Sequence, residues 1–448
     1  MPPRRIGVLG HVGNGNLGDE ALIASVLQGV RDRIPDAEIL AFTIRPEDTR
    51  ARHGIPAVPL VPGIGAPPEP ALRARVSAPV TADPRPSPLR RVLGSVPGAL
   101  PLVRGLRGAP GALRAAAREA AFWPERLRAL RGLDLLVVAG SNQISDNYGG
   151  PWAFPYTLAA WTAAARLTGV PVAYLSVGAG PIRSPLSRRL LRAALGWAAY
   201  RSYRDVGSRE WVAGIGLAGP HRIVPDLVHG LAFDVPAESH GAGDAGRTIV
   251  VNPFPYRDPR FTPGGDRDAY ERYVEILAGL AAHVLARGDR VRFVPTQLRQ
   301  DPLVIEDILE ALARRGAPLP ARDALAPSVT TFEDLVRALA AADLVIATRF
   351  HGVVLAQMLG KPVLGIAYRR STTDLLQDVG QEDYAIEGAS LTLEGLLERL
   401  GSLESDAGAA DRIHRRVLEL RRAVGLQYDE VLSASPARER SPAFAGAR

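Results

Sequence analysis

The chain has 448 residues, 46% of them apolar, a net charge of +7 and no cysteine. That length calls for two or three globular domains. The lack of cysteine excludes disulfides, thiol catalysis and cysteine-ligated zinc. Nearly all the cations are arginine, with Lys361 as the single lysine, so the basic charge reads as the composition of a GC-rich genome. Nucleic-acid binding would need a basic stripe interleaved with aromatics, and none is present, so no nucleic-acid partner is expected. No stretch approaches the roughly 18 apolar residues of a membrane-spanning helix. Met1-Pro2-Pro3-Arg4-Arg5 runs straight into a strand-like segment, which leaves no room for a signal peptide and points to the cytoplasm.

In chain order, the pattern predicts a strand over 6–10, an amphipathic helix over 19–33 with Asp19 as a natural cap, and a strand over 37–43. From about 62 to 124 the chain becomes rich in Pro, Arg, Ala and Gly, with helical stretches such as 112–122 and no evident sheet. This is an insertion: a solvated or partly disordered segment, or one that touches an anionic membrane surface at the inner face of the membrane. Strands then follow near 133–139, 172–177, 200–203 and 222–224, with helices over 155–168, 186–199 and 208–215 between them. The polar, Gly-rich stretch 235–247 is the best domain boundary. Beyond it the alternation repeats: strands 248–252, 291–295, 344–347 and 363–368, helices 269–287, 302–315 and 331–341, and a closing helix over 411–433. The expected organisation is a first domain at 1–235, a second at 248–433 and a disordered tail at 434–448. Strands alternating with helices give a parallel, doubly wound α/β sheet in each half, with a cleft between the strand C-termini.

The segment Thr348-Arg349-Phe350-His351-Gly352 carries the most chemistry. It places an arginine and a histidine at the C-terminal end of a predicted strand, beside a helix start, where a small anion binds. Arg349 offers a planar fork and His351 a proton near neutral pH. The first loop, His11 to Glu20, contains Gly13, Gly15 and Gly18, which let backbone approach a ligand, but not at dinucleotide-fingerprint spacing. Gly140, Ser141 and Asn142 end the strand near 135 and read either as a turn or as ligand contacts, and Asp146 follows them. Arg204-Asp205 ends another strand, as a structural ion pair or as a ligand clamp. No His-x-x-x-His or other metal-site spacing occurs, and no metal or cofactor is expected. Oligomeric state is not legible.

Taken in order, these motifs resemble the polysaccharide pyruvyl transferase family. The matches are Gly15-Asn16-Leu17-Gly18-Asp19-Glu20-Ala21, Gly140 with Asp146, Val177-Gly178-Ala179-Gly180-Pro181, Tyr203-Arg204-Asp205 with Ser208, Pro225-Asp226, and Arg349-Phe350-His351-Gly352 with Gly360-Lys361-Pro362. The resemblance implies two Rossmann-like domains facing across a cleft, similar to the glycosyltransferase B architecture. It implies transfer of the enolpyruvyl group of phosphoenolpyruvate onto a pair of sugar hydroxyls of a glycan, giving a pyruvate ketal and phosphate. It also implies Arg349 and Arg204 as anion sites. The chemistry then asks for a general acid, for which His351 beside Arg349 is the candidate, with a hydrogen bond to the phosphate as its alternative role, and for a base among Asp19, Asp146 and Asp205. Asn16, Gly18, Gly140, Ser141, Asn142, Gly178, Phe350, Gly352 and Tyr368 would complete the substrate site. Two departures stand out: the family's three glycines are Ala139-Gly140-Ser141 here, and the lysine often found three residues after the tyrosine at 368 is Ser371, preceded by Arg369 and Arg370. The rival expectations are a nucleotide-sugar glycosyltransferase and a repurposed, non-catalytic glycan binder.

Overall fold

Short apolar runs bounded by glycine and proline become the strands of two all-parallel sheets, because helices cover both faces and no polar alternation is needed. The computed structural model describes residues 3–62, 99–147, 149–233, 246–262, 264–317 and 329–434, with backbone alone for 99–112. The predicted boundary 235–247, most of the insertion and the tail from 435 therefore lie largely outside the described residues.

The first unit contains β1 (Arg5–Leu9), α1 (Leu17–Arg31), β2 (Glu38–Thr43), α2 (Pro46–His53), β3 (Ala57–Pro59), α3 (Ala99–Leu130), β4 (Leu135–Ala139), α4 (Phe154–Leu167), β5 (Val172–Val177), α5 (Pro185–Gly196), β6 (Tyr200–Tyr203), α6 (Val206–Gly214) and β7 (Arg222–Ile223). Its seven strands lie in the order β3-β2-β1-β4-β5-β6-β7. The second contains β8 (Thr248–Asn252), α7 (Arg267–Ala286), β9 (Arg290–Phe293), α8 (Asp301–Arg314), α9 (Phe332–Ala340), β10 (Leu344–Ala347), α10 (Phe350–Met358), β11 (Val363–Ala367), α11 (Arg370–Asp378), β12 (Ala385–Glu387), α12 (Leu393–Ser405) and α13 (Ala409–Ser433). Its five strands lie in the order β12-β11-β10-β8-β9. Two parallel α/β domains are thus present, as the alternation predicts.

The strand order reverses between β1 and β4 in the first sheet and between β8 and β10 in the second. Such switch points open a crevice beyond the strand C-termini. The loops leaving these four strands carry His11, Ser141, Phe254 and Arg349, so the topology places the predicted motifs at the two crevices.

Backbone pairing, a shared core and the last helix all join the domains. The first loop pairs with the second domain through backbone: Leu17 N donates to Thr296 O at 2.8 Å and Leu298 N to Gly15 O at 2.8 Å. One apolar core runs through both, with Val26 and Val137 in the same cluster as Val250, Val345 and Val354. Finally, α13 starts against Val379 and Met358 of the second domain and ends on the first. There Gln427 Nε2 donates to Ser176 Oγ at 3.1 Å and Gln427 Oε1 accepts from Ser202, while Arg33 Nε reaches Asp429 at 2.6 Å.

Local differences from the sequence expectation have simple causes. Helix α1 begins at Leu17, and its cap is Asn16, whose side chain accepts from Gly18 N at 3.1 Å; Asp19 sits inside the first turn instead. The insertion's described end is one helix of 32 residues that runs through Gly105, Pro110 and Pro124. Helix α2 buries only Thr49, so it left no apolar period to read. Strands β3 and β12 are three-residue edges, too short to show alternation.

Candidate functional site

The two switch points enclose a cleft of about 410 Å³. It brings together Asn16, Asp19, Ser141, Asn142 and Arg204 from the first domain with Arg349, Phe350, His351 and Tyr368 from the second. His11, Asn14, Phe154, Phe254, Thr296, Gln297, Gln300, Arg369 and Ser371 complete the wall. Three arginines and two histidines face one carboxylate, Asp19, so the lining favours an anion.

His351 occupies the first turn of α10 and is 7% exposed. A Cβ added at Gly18 would lie 2.2 Å from its Nδ1, so the ring rests on bare α1 backbone. Gly18 is thus needed to admit the histidine of the other domain, not to approach a ligand. On the far side His351 Nε2 faces Asp226 Oδ2 at 3.8 Å. That is an ion-pair distance, longer than a hydrogen bond. Asp226 follows β7, caps the short turn 227–230 by accepting from Val228 N at 3.0 Å, and is 2% exposed. Burial alone would raise its carboxyl, but the His351 ring and the Arg204 guanidinium more than offset this. They hold it well below the usual carboxylate range. Neighbouring His229 is buried too, and burial holds its imidazole below its usual value.

Two of the three arginines of the cleft, Arg204 and Arg349, are each stacked on a ring and bonded to a carboxylate. The Arg204 guanidinium lies 3.9 Å over the Phe350 ring, donates from Nε to Asp205 at 3.3 Å and from Nη1 to Asp226 at 3.5 Å. Gly178 makes room for it, since a Cβ there would lie 2.9 Å from Arg204 Nη2. Arg349 lies 4.4 Å over Phe254, which stacks on Tyr368 at 4.3 Å. The Nε–Nη2 edge of the Arg349 fork is turned to the buried Asp301 and not to the cleft: Nε reaches both carboxylate oxygens, at 3.1 and 3.2 Å, and Nη2 bonds Oδ1 as well. Asp301 also accepts from Thr296 N and Gln297 N. Stacking of this kind contributes about 0.5–2 kcal/mol per contact and fixes the cation before any ligand arrives.

The helix starts differ between the domains. Helix α1 is capped by Asn16 and α6 by Asp205, whose side chain accepts from Ser208 N. Helices α10 and α11 begin at Arg349 and Arg369 with no side-chain cap. The positive end of a helix dipole favours an anion, as at anion-binding helix starts.

Several predicted residues stand elsewhere. Asp205 lines a neighbouring cavity and not the cleft, and it serves α6 as cap. Asp146 lines neither and accepts from Arg183 N and Ser184 N at the 181–184 turn. Gly352 packs its bare backbone on Asn252, where a Cβ would meet Oδ1 at 2.1 Å. Gly140 has φ of 38° and abuts Leu22, while Ser141, at φ of 56°, turns the chain into the cleft. The reading from sequence placed Asp226 in a motif but not in the site, and it missed Asp301, Phe254, Gln297 and His11. Phe254 and Gln297 follow the ends of β8 and β9, where the strand-end rule alone would have flagged them. Among the described residues no group of three or more histidines or carboxylates could hold a metal ion, and no helix is long and apolar enough to cross a membrane.

No curated protein matches the chain in sequence. Solved structures share its architecture at low identity. An Anabaena protein, Alr3699/HepE, in complex with UDP and glucose, aligns with a TM-score of 0.55 at 13% identity, over 96% of this chain and 99% of that one. A Listeria monocytogenes protein assigned as a UDP-N-acetylglucosamine 2-epimerase gives 0.54 at 11% identity, over 96% and 95%. The spinosyn rhamnosyltransferase SpnG gives 0.52 at 14% identity, over 96% and 100%. These likenesses establish the two-domain glycosyltransferase B-like fold and no more. A model of one family, described as polysaccharide pyruvyl transferase, matches residues 16–370, which span both sides of the cleft and every motif around His351. The chain belongs to the polysaccharide pyruvyl transferase family.

Proposed function

We propose that the protein transfers the enolpyruvyl group of phosphoenolpyruvate onto two hydroxyls of a sugar in a cell-surface glycan or its precursor, forming a pyruvate ketal. The observation that carries this reading is His351. It is set between Asp226 and an anion-favouring cleft, with an uncapped helix start and three arginines around it. Phosphoenolpyruvate needs two anion sites, one for carboxylate and one for phosphate. Arg204, Arg369 and the start of α10 supply them, with Arg349 as the braced wall behind.

The steps follow from the charges. His351, as imidazolium, gives its proton to the methylene carbon, which becomes a methyl group. Positive charge develops on the adjacent carbon and its oxygen. Asp226 compensates the imidazolium before the transfer and is a positioning residue, since it lies behind the ring. A sugar hydroxyl then bonds to the cationic carbon and its proton passes to Asp19. Of the three carboxylates considered as base, Asp19 is the one on the cleft wall, with His11 Nδ1 at 3.2 Å to orient it. The bond between that carbon and the phosphate oxygen breaks, its electron pair leaving with phosphate, which takes the proton from Asp19; the second hydroxyl closes the ketal, its proton returning to the imidazole. Nothing in the steps requires a metal or a cofactor.

The test is thermal unfolding of the full chain with phosphoenolpyruvate, UDP and GDP in parallel. A ligand present at 100 times its dissociation constant stabilises the folded state by about 2.7 kcal/mol. Stabilisation by phosphoenolpyruvate, kept in His351→Gln while acceptor-dependent phosphate release is lost, is the expected result. Stabilisation by UDP or GDP and none by phosphoenolpyruvate would overturn the reading in favour of glycosyl transfer.

A further inference from the structure

A second cavity, of about 550 Å³, opens beside the first. Asn142, Arg204, Arg369 and Ser371 line both and form the wall between them. Nothing in the donor chemistry uses this second space.

Its distinctive residue is Trp211 on α6, whose side chain lines the cavity and is 40% exposed. The ring is nevertheless fixed. Gly180 has φ of 88°, and a Cβ there would lie 2.2 Å from Trp211 Cδ1 and 2.3 Å from Nε1. The indole therefore lies against bare backbone that a larger residue would not permit. The rest of the lining is mixed: Arg188, Arg204, Arg369 and Arg370 with Asn142, against Asp205 and Glu210, and Pro181 as an apolar edge. Glu210 is paired with Arg370 of the second domain at 3.3 Å, so the cavity, like the cleft, is built by both domains.

We propose that this cavity is the acceptor subsite, and that it holds a pyranose ring whose C–H face lies on Trp211. The hydroxyl pair to be bridged points past Asn142 and Arg204 into the cleft that holds the donor. A pyranose suits the lining better than a simple anion. One face of the ring is a patch of C–H bonds that the negative face of an indole attracts, and its hydroxyls bond amide, guanidinium and carboxylate alike. The four arginines of the lining would hold a bare anion too, against Asp205 and the paired Glu210, but an anion would leave the exposed indole uncovered. The proposal rests on the reading of the neighbouring cleft as the donor site.

The experiment uses saturation-transfer NMR on the full chain with the methyl glycosides of glucose, galactose, N-acetylglucosamine and N-acetylmannosamine, with and without phosphoenolpyruvate. Wild type, Trp211→Ala and Trp211→Phe are compared, with uridine as the competing stacker, and stabilisation by phosphoenolpyruvate is measured on each. At least one glycoside should bind through its ring-face protons. Trp211→Ala should weaken it about five- to tenfold, Trp211→Phe much less, with stabilisation by phosphoenolpyruvate unchanged in all three. Glycoside binding indifferent to Trp211→Ala would overturn the proposal. So would displacement of the glycoside by uridine, or no glycoside binding to protein that phosphoenolpyruvate stabilises. If phosphoenolpyruvate stabilises nothing while glycoside binding still depends on Trp211, the donor reading falls and the sugar subsite stands.

Discussion

Gly18→Ala tests whether the contact between the two motifs sets the chemistry. The added methyl would lie 2.2 Å from His351 Nδ1, 2.3 Å from Cγ and 2.4 Å from Cβ. All three atoms are close to the α10 backbone, so no flexible end can swing away. Ordinary contact starts near 3.4 Å, and the ring or the whole of α10 must retreat by about 1.2 Å. Overpacking of this kind costs about 1–3 kcal/mol, and up to about 1 kcal/mol returns from replacing glycine inside a helix. Net destabilisation should therefore be about 3 kcal/mol or less, a fall of a few degrees in melting temperature. Catalysis should suffer far more, because a misplacement of about 1 Å costs on the order of 100-fold. The assay is phosphate release from phosphoenolpyruvate with the acceptor sugar, beside a thermal unfolding curve. A variant that folds and keeps wild-type turnover would refute the claim that His351 is held in place by Gly18.

Asp226 should reveal itself through acid. Its carboxyl is held below the ordinary value, so the stability it contributes is complete above the unfolded pKa near 4 and is lost as pH falls further. Asp226→Asn should be less stable at neutral pH and lose less on acidification below about pH 5; parallel acid profiles would refute this. Asp334 and Asp406, both held down to about 2, titrate equally in both proteins and cancel. Arg349→Ala removes the partner of a fully buried carboxylate and should cost about 3–5 kcal/mol without any ligand. An unchanged melting temperature with lost phosphoenolpyruvate binding would assign Arg349 to the ligand alone. Gln427→Ala leaves the Ser176 hydroxyl without its donor and the Ser202 hydroxyl without its acceptor, and should cost about 1–3 kcal/mol, read by denaturant unfolding; no loss would mean that α13 packs without this network.

The strands were legible because fully buried parallel strands are unbroken apolar runs, and β4, β5, β8 and β10 fall where those runs do. The motifs at their ends were legible for the same reason. What could not be read was contact between motifs. Gly18 looks like a ligand-approach glycine until the His351 ring is found resting on it, 333 residues away in sequence. Asp226 lies after a two-residue strand with no periodicity, and only the turn it caps brings it under the cleft. Arg349 and Asp301 each read as isolated charges, because a pair across strand ends β9 and β10 leaves no spacing signal. Asp205 was ambiguous between ion pair and clamp, although Asp205-Val206-Gly207-Ser208 is itself a cap pattern that the reading passed over.

The path of α13 also bears on how this protein is made and recombined. The first sheet is seven strands long by residue 223, yet the side chain that satisfies its buried Ser176 and Ser202 comes from residue 427. On the ribosome, the N-terminal half must wait for nearly the whole chain before its polar groups are matched, with its surface under α13 open to wrong partners meanwhile. The same holds for chimaeras. A crossover placed between the sheets, near residue 240, would separate the first domain from the helix that completes it. Hybrids joined there should aggregate unless the last turns of α13 are drawn from the parent that supplies the first sheet.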